Sequence, residues 1–480
     1  MKTDGSERQR QAVILIGIQL SILMSALDQT ILNTAIPKMA VILQAFERSI
    51  WIITSYLLFS TVATPVSGKL SDIFGTKAVL TGAIVLFTIS SALCGSAGLI
   101  PEIAGLDAMN QLIVFRALQG IAGGAMIGAC FVSMGDLFSV QERGKHQGFL
   151  AAAFIVAAII GPALGGWLAD AWSWRLIFFI NVPLGIVASA CLGLCFPPSS
   201  RPKAQAVIDY AGIGSLVLCI FPLILGVSAS GIKGQSDVLS KSMLLLSVVM
   251  FGVFLFREST AREPLIPLSL FRDRFFSISL ATVFVSGIGL FGSLLILALM
   301  MQKVLGISAS VSGILLTPLM LVVAGASIVG GFLIGRTGRY KLLSILALAG
   351  MGAGSMLLGS LGSSASAGLL LSYASIAGVG LGLLLPIHTV VIQNMVPPQV
   401  MGIATSMTQF FRSLGGTVGT GVMGALMFRL IRQSSLEHAV GQMFLIYACV
   451  VFVVLVLNTL PAEVVLKKGA SAWVQPASGC

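Results

Sequence analysis

The ten residues GKLSDIFGTK, Gly68 to Lys77, decide the fold because they have a counterpart further along the chain. The stretch GFLIGRTGRY, Gly331 to Tyr340, repeats the spacing G-x-L-x-x-x-x-G with cations nearby. The first stretch follows the second long apolar run of the sequence, and the other follows the tenth. A short pattern that returns eight apolar runs later predicts that the chain contains two related halves.

A weaker pair of stretches has the same separation. VQERGKHQG, Val140 to Gly148, enters the fifth apolar run, and PQVMGIATS, Pro398 to Ser406, enters the thirteenth. Two halves of six helices that are separated by two additional helices account for both pairs. This repeat organisation is expected of many secondary transporters.

The composition places these apolar runs in a membrane. The 480 residues are 56% hydrophobic and only 9% charged, whereas a typical soluble domain has about 25% charged residues. The mean hydropathy is +1.01. Each run has about 20 residues, enough for a helix to cross a hydrocarbon core of about 30 Å. We count fourteen runs and predict an all-α polytopic membrane protein that makes no use of nucleic acid.

The basic residues orient the predicted spans. If the N-terminus is cytoplasmic, the inner segments hold 18 Lys and Arg residues and the outer loops hold 8. Lys and Arg concentrate in cytoplasmic loops, so we predict that both termini are cytoplasmic. The formal charge of +11 is therefore spread over short loops, and no nucleic-acid-binding module is visible. Most of the seven cysteines lie in predicted spans, where they read as small buried hydrophobes.

The division of the chain follows from the repeat and from two polar joints. FPPSSRPKAQ begins at Phe196, and REPLIPLSLFRDR begins at Arg262. The predicted parts are a cytoplasmic tail (1–11), an N-terminal six-helix half (12–200), two inserted helices (201–270), a C-terminal six-helix half (271–462) and a cytoplasmic tail (463–480). The sequence contains no phosphate-binding loop of the Walker type. An ion gradient, a substrate gradient or a separate subunit must therefore supply the energy, and we predict no cofactor and no metal.

Three charged residues lie well inside predicted spans: Asp28, Arg116 and Arg412. An ionisable residue at such a position marks a functional site when a partner can be named. At 1.5 Å per residue, Asp28 and Arg116 lie roughly 22 and 21 Å from the cytoplasmic edge, so they can meet. Burial favours the protonated carboxyl and a guanidinium favours the carboxylate, so Asp28 could take up and release protons. A static ion pair, or an Arg116 bound to carbonyls or Gln119, remains an alternative.

Arg412 and His388 belong to the second half, where the predicted spans contain no acidic residue. A substrate carboxylate, a group of carbonyls or His388 itself could neighbour Arg412. His388 could line the cavity or titrate near neutral pH, although a satisfied packing histidine is the favoured interpretation.

The motifs together resemble the major facilitator superfamily, and within it the fourteen-span drug:proton antiporters of the EmrB/QacA type. LDQTILNTAIP is similar to the motif of span one in that family, GKLSDIFGTK to its loop motif, RALQG to its span-four motif and GPALGGW to its antiporter motif. WSWRLIFFINVPLG, from Trp172 to Gly185, is also typical. These matches lie between residues 27 and 185.

The resemblance implies roles for individual residues. Asp28 would be the carboxylate that couples protons, with Arg116 as the span-four arginine of proton transfer. Asp72 would clamp the halves in the outward-open state, although it could equally be a helix cap or a solvated charge. The residues of the conformational switch would be Gly68, Asp72, Gly75, Lys77, Asp136, Gly161, Pro162, Gly165 and Gly166. Dense static packing of the glycines competes with a hinge at Gly161 and Pro162.

The predicted function is proton-coupled export of lipophilic compounds, with cations as one candidate class, from a plasma or inner membrane. An exporter of one metabolite, siderophore or amino acid on the same fold is the alternative. The partners are the lipid bilayer, the lipophilic substrate and protons, and a periplasmic adaptor stays open. The candidate cavity residues are Asp28, Asn33, Tyr56, Phe154, Phe291, His388, Gln409 and Arg412. Aromatic residues among them offer adaptable apolar walls.

Overall fold

The computed structural model describes most of the chain as long helices. The described residues are 3–45, 48–99, 106–197, 209–229, 237–261, 263–307, 309–361, 366–431 and 435–461. Lipid offers no partner for backbone N–H and C=O groups, so an apolar chain satisfies them within helices. Within the described ranges, twelve helices are long and apolar enough to cross a membrane.

The helices of the first half of the chain are α1 (Thr3–Ile42), α2 (Ile50–Phe74), α3 (Thr76–Ser96), α4 (Ala108–Leu137), α5 (Val140–Ala171), α6 (Leu176–Phe179) and α7 (Asn181–Cys195). Two further helices follow, α8 (Tyr210–Ala229) and α9 (Asp237–Thr260). The remaining helices are α10 (Arg274–Gly287), α11 (Ser293–Lys303), α12 (Ala309–Thr337), α13 (Tyr340–Gly359), α14 (Ala367–Met395), α15 (Met401–Ile431) and α16 (Leu436–Thr459).

Helices α2 and α15 are long but fall outside those twelve. Polar side chains dilute their apolar runs: α15, for example, carries Thr405, Ser406, Thr408, Gln409 and Arg412. The structure thus gives an all-helical fold with twelve candidate spans, and the count of fourteen remains a prediction.

Chain contacts divide the protein into two compact units. Unit 1 comprises residues 1–136, 156–213 and 397–407, and unit 2 comprises 137–155, 214–396 and 408–480. Helices α5 and α15 each contribute to both units. The boundaries predicted from the sequence repeat follow a different criterion and stay predictions.

In unit 1, α7 is the helix against which α1 and α3 pack. The turn between α2 and α3 is made by Gly75, whose φ of 87° lies in the left-handed region that glycine tolerates best. Helix α5 continues through Pro162 without interruption, so Pro162 does not end the helix. This arrangement brings the polar residues of α1, α3, α4 and α7 together.

In unit 2, α14 is central because it packs against α10, α12 and α13. A core cluster forms where the rings of Phe275 and Tyr340 meet edge to face, with centroids 4.8 Å apart, beside Ile387. Asp273 caps α10 by accepting a 2.8 Å hydrogen bond from the Phe275 backbone N–H. A π-helical turn, Ile288–Gly292, connects α10 to α11.

Helix α9 presents most of its apolar side chains outward. Leu245, Val248 and Phe256 are each more than 60% exposed. Exposed apolar surface on this scale is what a bilayer covers. The helix therefore has the character of a lipid-facing element.

Candidate functional site

Asp28 and Arg116 form a buried ion pair in unit 1. Nη1 of Arg116 lies 2.5 Å from Oδ2 of Asp28, and both residues are 1% exposed. Gln119 donates a 2.9 Å hydrogen bond from Nε2 to Oδ1 of Asp28, and Asn181 donates to the same oxygen at 3.4 Å. Three donors are thus directed at one carboxyl group. The pairing expected from depth along the two helices is therefore present.

Ser91 connects the donors of this network. Its hydroxyl oxygen accepts hydrogen bonds from Gln119 Nε2 at 3.1 Å and from Asn181 Nδ2 at 3.0 Å. It also donates to the Phe178 carbonyl at 2.8 Å. Sequence reasoning missed Ser91 and Asn181, because single Ser and Asn residues in apolar runs are common. The only signal was Asn181 within the stretch FFINVPLG.

The Arg116 guanidinium is satisfied on every side. Nε donates to the Ile52 carbonyl at 3.2 Å, and Nη1 also donates to Gln119 Oε1 at 2.8 Å. The ring of Tyr56 lies under the guanidinium, with 4.3 Å between Cζ and the ring centroid. The Tyr56 hydroxyl in turn lies 3.1 Å from the hydroxyl of Ser25 on α1. The carbonyl and Gln119 alternatives thus coexist with the Asp28 pair.

Asp72, near the end of α2, holds the first turn of α15 within unit 1. Its Oδ1 accepts from the Gly402 N–H at 2.8 Å and its Oδ2 from the Ile403 N–H at 2.9 Å. The free N–H groups at a helix start attract negative charge. Asp72 lies beyond the apolar part of α2, and burial raises the pKa of its carboxyl to about 7, against the effect of the two donors. The residue thus acts as a cap for α15 rather than as a solvated charge.

Gly68 allows α2 and α15 to approach. A Cβ atom at Gly68 would lie 2.0 Å from the Ser406 hydroxyl and 2.6 Å from the Gly402 carbonyl. Because backbone cannot retreat from such a contact, any side chain at Gly68 would push α15 away from Asp72.

Lys77 and Asp136 each have a hydrogen-bond partner other than Asp72. Lys77 donates to the Phe196 carbonyl at 2.8 Å, and Asp136 accepts a hydrogen bond from the Thr76 hydroxyl. The Asp136 charge repels that of Asp72 and helps to raise its pKa. The two acids therefore oppose each other, and Lys77 ties the start of α3 to the end of α7.

The predicted hinge on α5 contains one close contact. A Cβ at Gly161 would lie 2.0 Å from the Thr30 hydroxyl, and Thr30 donates to the Ala157 carbonyl at 3.0 Å. Gly165 is buried, whereas a Cβ at Gly166 would have nothing within 4 Å. Gly161 is thus required for the approach of α5 to α1.

Arg412 is the buried cation of unit 2 and is 8% exposed. Nη1 donates to Gln409 Oε1 at 2.9 Å and Nη2 donates to the Leu385 carbonyl at 3.1 Å. The Nε atom has no hydrogen-bond partner among the residues that the structure describes. Of the neighbours expected for Arg412, the structure shows a carbonyl, and it adds the Gln409 amide, which the sequence analysis did not predict.

His388 takes part in a neutral network. Its Nε2 lies 3.0 Å from the Ser344 hydroxyl, which donates to Asn458 Oδ1 at 3.2 Å. Asn458 Nδ2 donates to the Thr282 hydroxyl at 2.9 Å. His388 is 1% exposed. This chain of hydrogen bonds links α14, α13, α16 and α10, while Nδ1 of His388 has no partner among the described residues.

Of the aromatic candidates, Tyr56 is fully buried, whereas the two phenylalanines are only partly buried. Phe154 is half-buried, and Phe291 is 36% exposed and packs against Gly416. The side chain of Asn33 lies outside the described residues. Unit 2 also contains a small apolar cavity of about 30 Å³ that sequence reasoning missed. It is lined chiefly by Leu297, Leu319, Met320, Val323, Met351, Leu381 and Tyr447.

Among the described residues, no three His, Cys, Asp or Glu side chains come together as metal ligands. A bundle of membrane-length helices with a buried Asp–Arg pair defines a polytopic transporter rather than an enzyme. The family model "Major Facilitator Superfamily" matches residues 18–420. The chain therefore belongs to the major facilitator superfamily of multi-pass membrane transporters.

Similar proteins are drug transporters in name. The chain is 36% identical over 431 residues to "Multidrug transporter protein MdtP" of Bacillus subtilis (strain 168), covering 89% of this chain and 77% of the relative. It is 31% identical over 431 residues to "Multidrug resistance protein 3" of the same strain, covering 89% and 81%. The fold is similar to that of the proton:xylose symporter XylE, with a TM-score of 0.67 at 16% identity over 94% and 96% of the two chains. That last likeness concerns the fold alone.

Proposed function

We propose that the chain is a proton-coupled antiporter that exports lipophilic compounds by alternating access. The observation that carries the proposal is the Asp28 carboxylate, buried and held by Arg116, Gln119 and Asn181. A static scaffold does not need a charge inside an apolar helix, and a charge of this kind marks proton or substrate pathways. The printed names of the two Bacillus relatives support drug export.

In the proposed cycle, the described arrangement is the proton-free state. Arg116 cannot usefully deprotonate, so Asp28 carries the proton and Arg116 determines when it binds. A movement of α4 relative to α1 that increases the distance between Asp28 and Arg116 would leave a buried carboxylate without its cation. Protonation of Asp28 would then relieve the free-energy cost of burying that charge. Return of Arg116 expels the proton.

The switch residues fit the same cycle. Asp72 caps α15 through two backbone N–H groups and Gly68 keeps the two helices close. Loss of this cap would free the start of α15 for another conformation. Within the proposal, Gly161 provides the close contact of α5 with α1 along which the helices slide. Fourteen spans, cytoplasmic termini and membership of the EmrB/QacA type belong to the same proposal.

Proteoliposomes with an imposed proton gradient test the coupling. Uptake of a fluorescent lipophilic cation by inside-out liposomes should fall in Asp28→Asn to the level of protein-free liposomes, while the purified variant keeps its helical content. Asp107→Asn is the matched control because this side chain is 46% exposed and pairs with Arg48 rather than with Arg116. Proton-driven uptake that persists in Asp28→Asn would contradict a role of Asp28 in proton coupling. A screen of dyes, antibiotics and metabolites then separates a drug exporter from an exporter of one metabolite.

A further inference from the structure

Arg412 is a buried cation whose described hydrogen-bond partners are uncharged, whereas Arg116 is paired with Asp28. From Arg274 to Leu436 the sequence contains neither Asp nor Glu. Arg412 lies within that stretch, on α15, and is nine-tenths buried. A buried cation without an anion costs several kcal/mol. The described hydrogen-bond partners of Arg412 carry no charge that offsets this cost.

The hydrogen bonds of Arg412 leave one edge of its guanidinium unused. A guanidinium carries five N–H donors, two on each Nη and one on Nε. The described bonds occupy one donor on Nη1, to Gln409, and one on Nη2, to Leu385. Nε is buried and has no partner in the described part of the chain. The Nε–H belongs to the edge at which a guanidinium binds both oxygens of a carboxylate, together with one Nη–H.

The neighbours of Arg412 hold this edge in position. The Leu385 carbonyl on α14 fixes Nη2, and the Gln409 amide fixes Nη1 from one turn earlier on α15. The amide is itself oriented, since Gln409 Nε2 donates to the Thr408 hydroxyl at 3.2 Å. Arg412 is thus anchored through its Nη atoms, and its Nε edge is preorganised for a ligand.

From this geometry we propose that Arg412 forms a recognition site for the carboxylate of an amphiphilic substrate, so that the exported compounds include lipophilic acids and zwitterions. The inference rests on the proposed export function and names a substrate class for it. The ion pair would be charge-assisted and bidentate, which is the strongest hydrogen-bonding geometry available to a side chain. His388, whose Nδ1 also lacks a partner among the described residues, lies one turn after Leu385 and is uncharged in its network. It adds no competing cation.

The test compares two ligands that differ in charge and little else. Binding of 1-naphthaleneacetate and of its neutral amide, 1-naphthaleneacetamide, is measured by calorimetry on the full-length protein in phosphatidylcholine nanodiscs. The carboxylate should bind at least about tenfold more tightly, because a charge-assisted bond exceeds a neutral one by this order. Equal affinities of the wild-type protein for the two ligands would overturn the proposal.

Three variants locate the effect. Arg412→Gln should abolish the preference for the carboxylate, and Arg412→Lys should keep part of it because the charge remains while the fork is lost. Gln409→Glu places an internal carboxylate beside Arg412 and should abolish the preference as well, by analogy with Asp28 and Arg116. This variant keeps the proposal testable if Arg412→Gln does not fold. Arg429→Gln, an exposed cation on the same helix, should keep the full preference.

Two further outcomes are decisive. If the preference survives in Gln409→Glu or in folded Arg412→Gln, the site is not at Arg412. If it disappears in nanodiscs that contain phosphatidylglycerol, a lipid headgroup rather than a substrate occupies Arg412, and the proposal falls. Proton-driven export that persists without any carboxylate preference would overturn this inference alone, whereas a preference retained without proton-driven export would overturn the proposed function alone.

Discussion

The two buried polar networks tie together corresponding sets of four helices but differ in charge. In unit 1 the network joins α1, α3, α4 and α7 around Asp28 and Arg116. In unit 2 it joins α10, α13, α14 and α16 around His388. The repeat predicted from the sequence pairs these helices one for one. The third helix of each half contributes a serine and the last contributes an asparagine.

The networks also differ in their level along the helices. Asn181 is the first residue of α7, whereas Asn458 is the last residue but one of α16. Equivalent helices therefore present the same residue types at different depths. We infer that both halves use Ser and Asn to hold helices together, and that only unit 1 adds the charge needed for proton transfer.

Removal of Arg116 should have the largest effect on stability. Arg116→Leu leaves the Asp28 carboxylate buried without a cation, which costs about 3–5 kcal/mol. Thermal or denaturant unfolding of the purified protein in detergent measures the loss. The double variant Asp28→Asn, Arg116→Leu should recover much of it, because no unpaired charge remains. If Arg116→Leu is as stable as the wild type, the charged network of unit 1 and the neutral network of unit 2 do not differ in the way proposed.

The neutral network should respond less strongly. Asn458→Leu deprives Ser344 and Thr282 of their partner and should cost about 1–3 kcal/mol, the range for buried uncharged hydrogen-bonding groups. Ser372→Ala, at an exposed position of α14, serves as the control and should change the unfolding free energy by less than about 0.5 kcal/mol. A cost for Asn458→Leu that equals that for Arg116→Leu would contradict the difference in charge.

The exposed ion pair of unit 1 should show the smallest effect. Arg48 Nη2 lies 2.8 Å from Asp107 Oδ2, and the two side chains are 42% and 46% exposed. Arg48→Gln should cost about 0.2–1 kcal/mol, and added salt should reduce that cost. Unfolding at low and high ionic strength measures both. A cost that does not change with salt would show that exposure is not what separates this pair from Asp28 and Arg116.

The pH dependence of the exposed pair has a definite sign. The backbone N–H of Asn110, and then Arg48, lower the pKa of Asp107 in the folded protein. The stabilisation is therefore complete above the unfolded pKa of about 3.9 and is lost as the pH falls through the lower folded pKa. The difference in melting temperature between the wild type and Asp107→Asn should close over that range. A difference in melting temperature that widens as the pH falls would contradict a lowered pKa of Asp107 in the folded protein.

The sequence predicted the charged parts of the molecule better than the neutral ones. A carboxylate in an apolar run requires a partner, so Asp28 and Arg116 could be paired by depth alone. Ser344, Asn458 and Thr282 carry no such signal, since neutral polar residues satisfy themselves locally in many membrane helices. Their pairing depends on which helices become neighbours.

Hydrogen-bond partners that are backbone atoms could not be predicted from the sequence either. The resemblance assigned Asp72 a clamping role but could not name the N–H groups of Gly402 and Ile403, because every residue has an N–H. Lys77 likewise donates to a backbone partner, the Phe196 carbonyl, that the sequence did not identify. The membrane-spanning character, by contrast, could be predicted from composition, and twelve helices in the described ranges are long and apolar enough to cross a membrane.

The bond between Asp72 and Gly402 joins residues 330 positions apart. At a synthesis rate of about 5–20 residues per second, Asp72 emerges from the ribosome tens of seconds before its partner exists. Unit 1 therefore cannot be completed until residues 397–407 have been translated, although the rest of it has long been made. During that interval the growing chain exposes an acidic cap without a helix, and the bond with Gly402 marks the moment at which the nascent transporter closes this unit.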